Sequence, residues 1–121
     1  MEVMTQMPNL NLVVIRSEKP DDAVRFYGLL GLSFQNEQHG NGPIHWSSNL
    51  GGTILEIYPA TSDKHVDSST RLGFAVDGIM SKLDSLRSIG IEIVSEPKES
   101  EWGLRAVVKD PDGRSVELLQ K

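Results

Sequence analysis

Two glutamates, Glu56 and Glu117, hold matching places near the ends of the two halves of this chain. A carboxylate on a strand can serve as a general base or ligate a cation. Arg71 adds a permanently protonated guanidinium, able to hold a carboxylate or steady a developing anion. His45 adds an imidazole, and His45, Glu56 and Glu117 together form a donor set suited to Zn²⁺ or Fe²⁺. Trp102, in ESEWGLR, is an aromatic before a strand that can stack on a planar ligand, and Arg105 can reach an anionic one. Each has a plainer alternative. The glutamates can be ordinary exposed sheet residues, Arg71 can extend to solvent, and Trp102 can pack on a sheet edge or a dimer contact. Arg105 can merely neutralise nearby acids. His39, in the HGNG loop, and His65 read as solvated.

The elements that position these groups come in two copies. Slid by 59 positions, Leu12 falls on Arg71, Val13 on Leu72, Ile15 on Phe74 and Gly31 on Gly90. Later the offset becomes 61, so NLGG falls on DPDG and Glu56 on Glu117. Each half begins with a strand, Leu10 to Ile15 and Leu72 to Val76. A helix follows. Pro20, Asp21 and Asp22 suit the first start, and Asp77 is a candidate cap for the second. Gly31 and Gly90 end the helices. Three strands complete each half, at 33–37, 44–48 and 53–58 and then at 91–96, 105–109 and 115–119. The expected boundaries are a flexible tail at 1–8, a first βαβββ module at 9–60, a linker at 61–69 and a second module at 70–121.

The fold class is therefore α+β. Two tandem βαβββ modules form an open, curved mixed sheet around a cleft, with the helices on the outer face. Strand parity turns Leu12, Glu56, Arg71 and Glu117 towards the cleft. A four-residue NLGG hairpin loop would set His45 opposite Glu56. The TRLGFAVD stretch fits this plan, because Gly73 and Ala75 leave space beside Arg71. DPDG is turn chemistry, and Tyr27 reads as helix-face core.

The totals narrow the function. A chain of 121 residues is enough for one domain with a real core. The net charge of −5 favours neither nucleic acid nor an anionic membrane. The absence of cysteine excludes disulfides and thiolate catalysis. No apolar run approaches the roughly 20 residues of a membrane span, and MEVMTQMPN lacks the regions of a signal peptide, so a cytoplasmic home is expected.

With its paired βαβββ modules, AVRFYGLLGLSF, WGLRAVVKDPDGRSVELL and acidic residues in both final strands, the chain resembles the vicinal oxygen chelate superfamily. That superfamily includes glyoxalase I, bleomycin-resistance proteins, fosfomycin-resistance enzymes and extradiol dioxygenases. The resemblance runs from about Asn9 to the end. It implies that the four inward positions hold metal ligands in metalloenzyme members, with histidine usual on the first and fifth strands. Here Glu56 and Glu117 match, whereas Leu12 and Arg71 replace the histidines. The resemblance also implies a homodimer and places the WGLR stretch near the binding groove. The expectation is a metal-free protein binding a small organic molecule through Leu12, His45, Glu56, Arg71, Trp102, Arg105 and Glu117, with Arg71 in the cation's place and held by Glu117. The alternative is a metal-dependent lyase, isomerase or dioxygenase of the glyoxalase type, with a divalent metal on His45, Glu56 and Glu117. Two further readings are a protein kept for interactions, and metal-free enolate stabilisation by Arg71 with Glu56 or Glu117 as base.

Overall fold

A computed structural model of the chain describes residues 7–121. Most of the expected tail lies outside the described residues. The first half contains β1 (Leu12–Ser17), α1 (Pro20–Leu29), β2 (Gln35–Glu37), β3 (His45–Leu50) and β4 (Thr53–Pro59). The second contains β5 (Leu72–Val76), α2 (Ile79–Ser88), β6 (Ile93–Ser100), β7 (Gly103–Lys109) and β8 (Ser115–Gln120). Each half is a four-stranded mixed sheet, β1-β4-β3-β2 in one and β5-β8-β7-β6 in the other. In both, the first strand runs parallel to the last and the other pairs are antiparallel. The two sheets remain open.

Apolar residues alternating along the strands bury one face of each sheet under its helix. Val13 and Ile15 on β1 join Leu55 and Ile57 on β4 beneath Phe26 and Tyr27 of α1. Leu72, Phe74 and Val76 on β5 join Val116 and Leu118 on β8 beneath Leu83 and Leu86 of α2. These groups merge into one core. Tyr27 joins them, its ring 4.7 Å from that of Phe26 and 5.9 Å from that of Phe74 across the module boundary.

A buried polar clasp reinforces this junction. Tyr27 donates its hydroxyl hydrogen to Asp110 Oδ2 at 2.6 Å. Arg114 donates to the same oxygen at 3.0 Å, to the Asp67 carbonyl at 3.1 Å and to the Arg16 carbonyl. Ser17 donates to Asp112 Oδ2 at 2.6 Å. Burial, then the Asp110 carboxylate, push the Tyr27 phenol far above its usual range. The DPDG segment is thus both the expected turn and the acidic half of this clasp.

Some local expectations change. The first strand begins at Leu12, because residues 10 and 11 lie outside the ladder. The cap of α2 is Gly78, at φ +61°, and not Asp77. The Ile79 N–H instead donates to Gln120 Oε1 at 2.8 Å. The β3–β4 hairpin closes on two residues, Gly51 and Gly52, because Leu50 pairs with Thr53. Both glycines take positive φ, +70° and +116°, where other side chains would be strained.

Candidate functional site

Side chains that alternate with the core residues form the sheet face away from each helix. In the first sheet this face carries Leu12, Val14 and Arg16 on β1, Glu56 and Tyr58 on β4, His45 and Ser47 on β3, and Glu37 on β2. Register arranges them in rows. Arg16 is level with Tyr58, and Val14 with Glu56. Ser47 is level with Glu56, while His45 is level with Glu37. The Arg16 guanidinium lies 4.8 Å from the Tyr58 ring centre. The Tyr58 and His45 rings stack at 4.1 Å and 6°.

His45 is 1% exposed. Its Nδ1 lies 3.3 Å from the Pro43 carbonyl oxygen. Its Nε2 lies 3.3 Å from Glu37 Oε1 and 3.7 Å from Glu56 Oε2, with no hydrogen-bond partner. His45 and Glu56 therefore share a face, as parity required. The two-residue hairpin moves the register by two places, so Ser47 and not His45 stands opposite Glu56.

In the second sheet the open face carries Gly73, Ala75, Arg105, Val107 and Glu117. Glu117 is level with Gly73 on one side and Val107 on the other. Arg105 donates to Glu117 Oε1 from Nε at 2.8 Å, with Nη2 at 2.6 Å. A side chain at position 73 would begin 3.8 Å from the Glu117 Cβ and 4.0 Å from Oε2. Gly73 thus leaves one carboxylate oxygen uncovered beside the pair.

The structure brings together His45 with Glu56, and Arg105 with Glu117. It does not bring Arg71 to either glutamate. Arg71 precedes β5 and is exposed, and Arg105 takes the carboxylate expected for it. Leu12 is 49% exposed and lies two residues from the Glu56 row, where Val14 stands. Trp102 is 69% exposed in the two-residue β6–β7 turn. His65 is exposed, as expected. His39 is exposed too, yet its ring lies 5.1 Å from that of His45. Sequence reasoning overlooked Glu37, Tyr58 and Arg16, although the parity that turned Glu56 outwards applies equally to Tyr58.

The four positions at which the resemblance expects metal ligands do not present a full donor set here. Leu12 has no donor, Arg71 carries its own positive charge, and Glu117 is engaged by Arg105. No ion contact joins Glu117 to His45 or Glu56 among the described residues, so the expected His45–Glu56–Glu117 set is not assembled within the described chain.

An apolar hollow of about 160 Å³ lies where Val13 and Leu55 meet Leu72, Gly73 and Phe74. A larger groove, about 490 Å³, lies between α1 and the Asp110–Gly113 turn and is walled by mixed charges. It lies away from the open-face residues.

The fold has close structural counterparts. TnmS3, an antibiotic binding protein from Streptomyces sp. CB03234, superposes with a TM-score of 0.73 at 20% identity, covering 94% of this chain and 96% of that one. Oxidase ChaP-H2 gives 0.75 at 18% identity, covering 95% and 94%. A glyoxalase/bleomycin resistance protein/dioxygenase family enzyme from Burkholderia phytofirmans PsJN gives 0.71 at 17%, covering 93% and 98%. No curated protein sequence matches the chain. The family match covers residues 9–118, taking in both sheets, both helices and the two glutamate rows. With its duplicated βαβββ architecture, the chain belongs to the Glyoxalase/Bleomycin resistance protein/Dioxygenase superfamily.

Proposed function

We propose that this protein binds a small, planar or partly polar organic molecule on the open faces of its sheets, as a cytoplasmic homodimer, with no metal shared by Glu56 and Glu117. The observation that carries this reading is the Arg105–Glu117 pair beside Gly73. It offers a guanidinium, a free carboxylate oxygen and, at Gly73, the space of an absent side chain. Such a surface can orient a polar edge of a ligand, and exposed Trp102 supplies an aromatic plane on the same half.

Size supports a dimer. Drug-sized sites are roughly 300–1,000 Å³, so the 160 Å³ hollow is too small to enclose such a ligand. Leu12 and Val14 on one open face are 49% and 43% exposed, and Gly73 and Ala75 on the other are exposed as well. A second chain laid across these faces would cover them and close a cleft. TnmS3 is described as an antibiotic binding protein, so antibiotics are the first ligands to test, and exposed Trp102 selects aromatic ones among them.

The competing function is a metal-dependent lyase, isomerase or dioxygenase using Glu56 and Glu117. The 3.7 Å approach of His45 to Glu56 favours it. Native mass spectrometry of the full chain, purified without added metal, separates the two. The binding reading expects a dimer that gains one aromatic antibiotic per cleft from a test panel, undiminished by EDTA and weakened by Arg105→Met. A metal whose binding requires both Glu56 and Glu117, or a monomer that takes up no member of a broad panel, would reject it.

A further inference from the structure

We infer that Glu37, His39 and His45, with Glu56 alongside, form a site for a divalent transition ion of the zinc class at the β2–β3 edge of the first sheet. The cross-strand pairing of Glu37 with His45 puts both side chains on one face. The loop from β2 to β3 carries His39 back over them. One donor atom from each of Glu37, His39 and His45 lies within 4.8 Å of the others. These residues differ from the positions that hold metals in relatives, and only Glu56 is common to both sets.

The independent sign of a ligand is His45 Nε2. Among the described residues it is the only buried side-chain nitrogen or oxygen with no hydrogen-bond partner. A proton on Nδ1 makes the 3.3 Å approach to the Pro43 carbonyl favourable, which leaves a lone pair on Nε2. In that tautomer Nε2 faces two carboxylates with no proton to offer them, Glu37 at 3.3 Å and Glu56 at 3.7 Å. Three electron-rich groups repel one another, whereas a cation between them turns all three into ligands. An imidazole anchored through its other nitrogen to a carbonyl is the usual outer arrangement of a metal-bound histidine. Stacking on Tyr58 fixes the ring plane.

The donor set selects the ion. Two imidazoles with carboxylate oxygen suit Zn²⁺, Co²⁺, Ni²⁺ or Fe²⁺, while Ca²⁺ and Mg²⁺ prefer oxygen alone. Donors sharing one ion by bonds of about 2.0–2.1 Å stand roughly 3.3 Å apart, so one side chain must move inwards. His39 is the candidate, since its side chain is 75% exposed and Gly40 and Gly42 follow it in the loop. The bound ion would staple this loop to the sheet beside the open face.

The test is calorimetric titration of untagged, EDTA-stripped full-length protein with Zn²⁺, repeated with Co²⁺ and read by visible absorption. One ion per chain is expected. Glu37→Gln or His39→Asn should weaken binding by about tenfold or more and alter the Co²⁺ spectrum. Both act at residues that are at least partly exposed, so folding should survive. Glu117→Gln should leave Zn²⁺ affinity unchanged, which separates this site from the competing function above. Three results would overturn the inference: no saturable one-to-one binding, affinity indifferent to both Glu37→Gln and His39→Asn, or a His45 ring shown by ¹⁵N NMR to carry a proton on Nε2 in excess Zn²⁺. Antibiotic binding is read separately, so either proposal can fail without the other.

Discussion

Replacing Arg114 with methionine should weaken the fold more than almost any other single change. The guanidinium is 1% exposed. It neutralises Asp110 at 3.0 Å and serves carbonyls at Asp67 and Arg16, which lie 47 and 98 residues away in the chain. Methionine fills much of the volume but leaves the Asp110 carboxylate buried beside a second carboxylate, Asp112. Removing one partner of a buried pair costs about 3–5 kcal/mol. For a chain of 121 residues this corresponds to a fall in Tm of about 12–20 °C. Tyr27→Phe removes only the hydroxyl that donates to Asp110 at 2.6 Å, and should cost about 1.5–3 kcal/mol. Urea unfolding of the wild type, Arg114→Met, Asp110→Asn and the double variant completes the test. The double variant should recover part of the loss, because it removes the stranded charge. A cost below about 1 kcal/mol for Arg114→Met would show that the guanidinium does not hold the modules together.

The same clasp has an alkaline signature. Because the folded phenol of Tyr27 is raised above its ordinary value of 10.0, its contribution is complete below pH 10 and lost as pH rises further. Urea unfolding at pH 9 and 11 should therefore show a larger drop for wild type than for Tyr27→Phe, and equal drops would contradict the assignment. Asp67 is held at about 2 by the Ser69 and Thr70 hydroxyls and the Ser69 amide. Its stabilising effect is present above pH 3.8 and fades as pH falls towards about 2. NMR titration should place its midpoint there, and Ser69→Ala should raise it. Two glycines should respond oppositely to alanine. Gly28→Ala, inside α1 with open space around it, should stabilise by about 0.5–1 kcal/mol. Gly78→Ala, at φ +61° with Ser81 Oγ 3.1 Å from the added carbon, should destabilise by about 1–2 kcal/mol. Thermal melts decide both signs. Arg105→Met should change stability by less than about 1 kcal/mol, since its pair with Glu117 is partly solvated, yet it should abolish most antibiotic binding. A large fall in stability with binding retained in the folded protein would reverse its assigned role.

Parity was legible because it is local. The residues that make Val116 and Leu118 apolar also turn Glu117 outwards, and no knowledge of the neighbouring strand is needed. The same rule turns Arg114 inwards, where it is found, and attention to the turn alone had hidden it. Register was less legible because it depends on how strands meet. Leu12 and Val14 share a face, so parity cannot choose between them, but only Val14 is level with Glu56. A slip of two residues shifts a side chain about 6.6 Å along a parallel neighbour, enough to exchange one contact for another. His45 shows the same ambiguity: a hairpin loop of two or four residues leaves it on the same face but changes which side chain it stacks on.

Charge identity was harder still. Arg71 and Arg105 both carry a guanidinium near the second open face, and the sequence alone made Arg71 the natural partner of Glu117. Adjacency does not decide between them: β5 and β7 both border β8, with Gly73 and Val107 level with Glu117 and Arg71 and Arg105 each two residues along, but Arg105 lies within the β7 ladder whereas Arg71 precedes β5. Arg71, at the foot of the edge strand β5, has solvent available instead. A cation prefers the carboxylate it can reach without surrendering water for nothing. It follows that the row across a sheet, set by strand order and hairpin length, decides which groups act together on this fold. The Arg16–Tyr58–His45–Glu37 row runs from one edge of the first sheet to the other and joins four strands. Its unpartnered nitrogen belongs to a residue whose chemistry no single strand could have revealed.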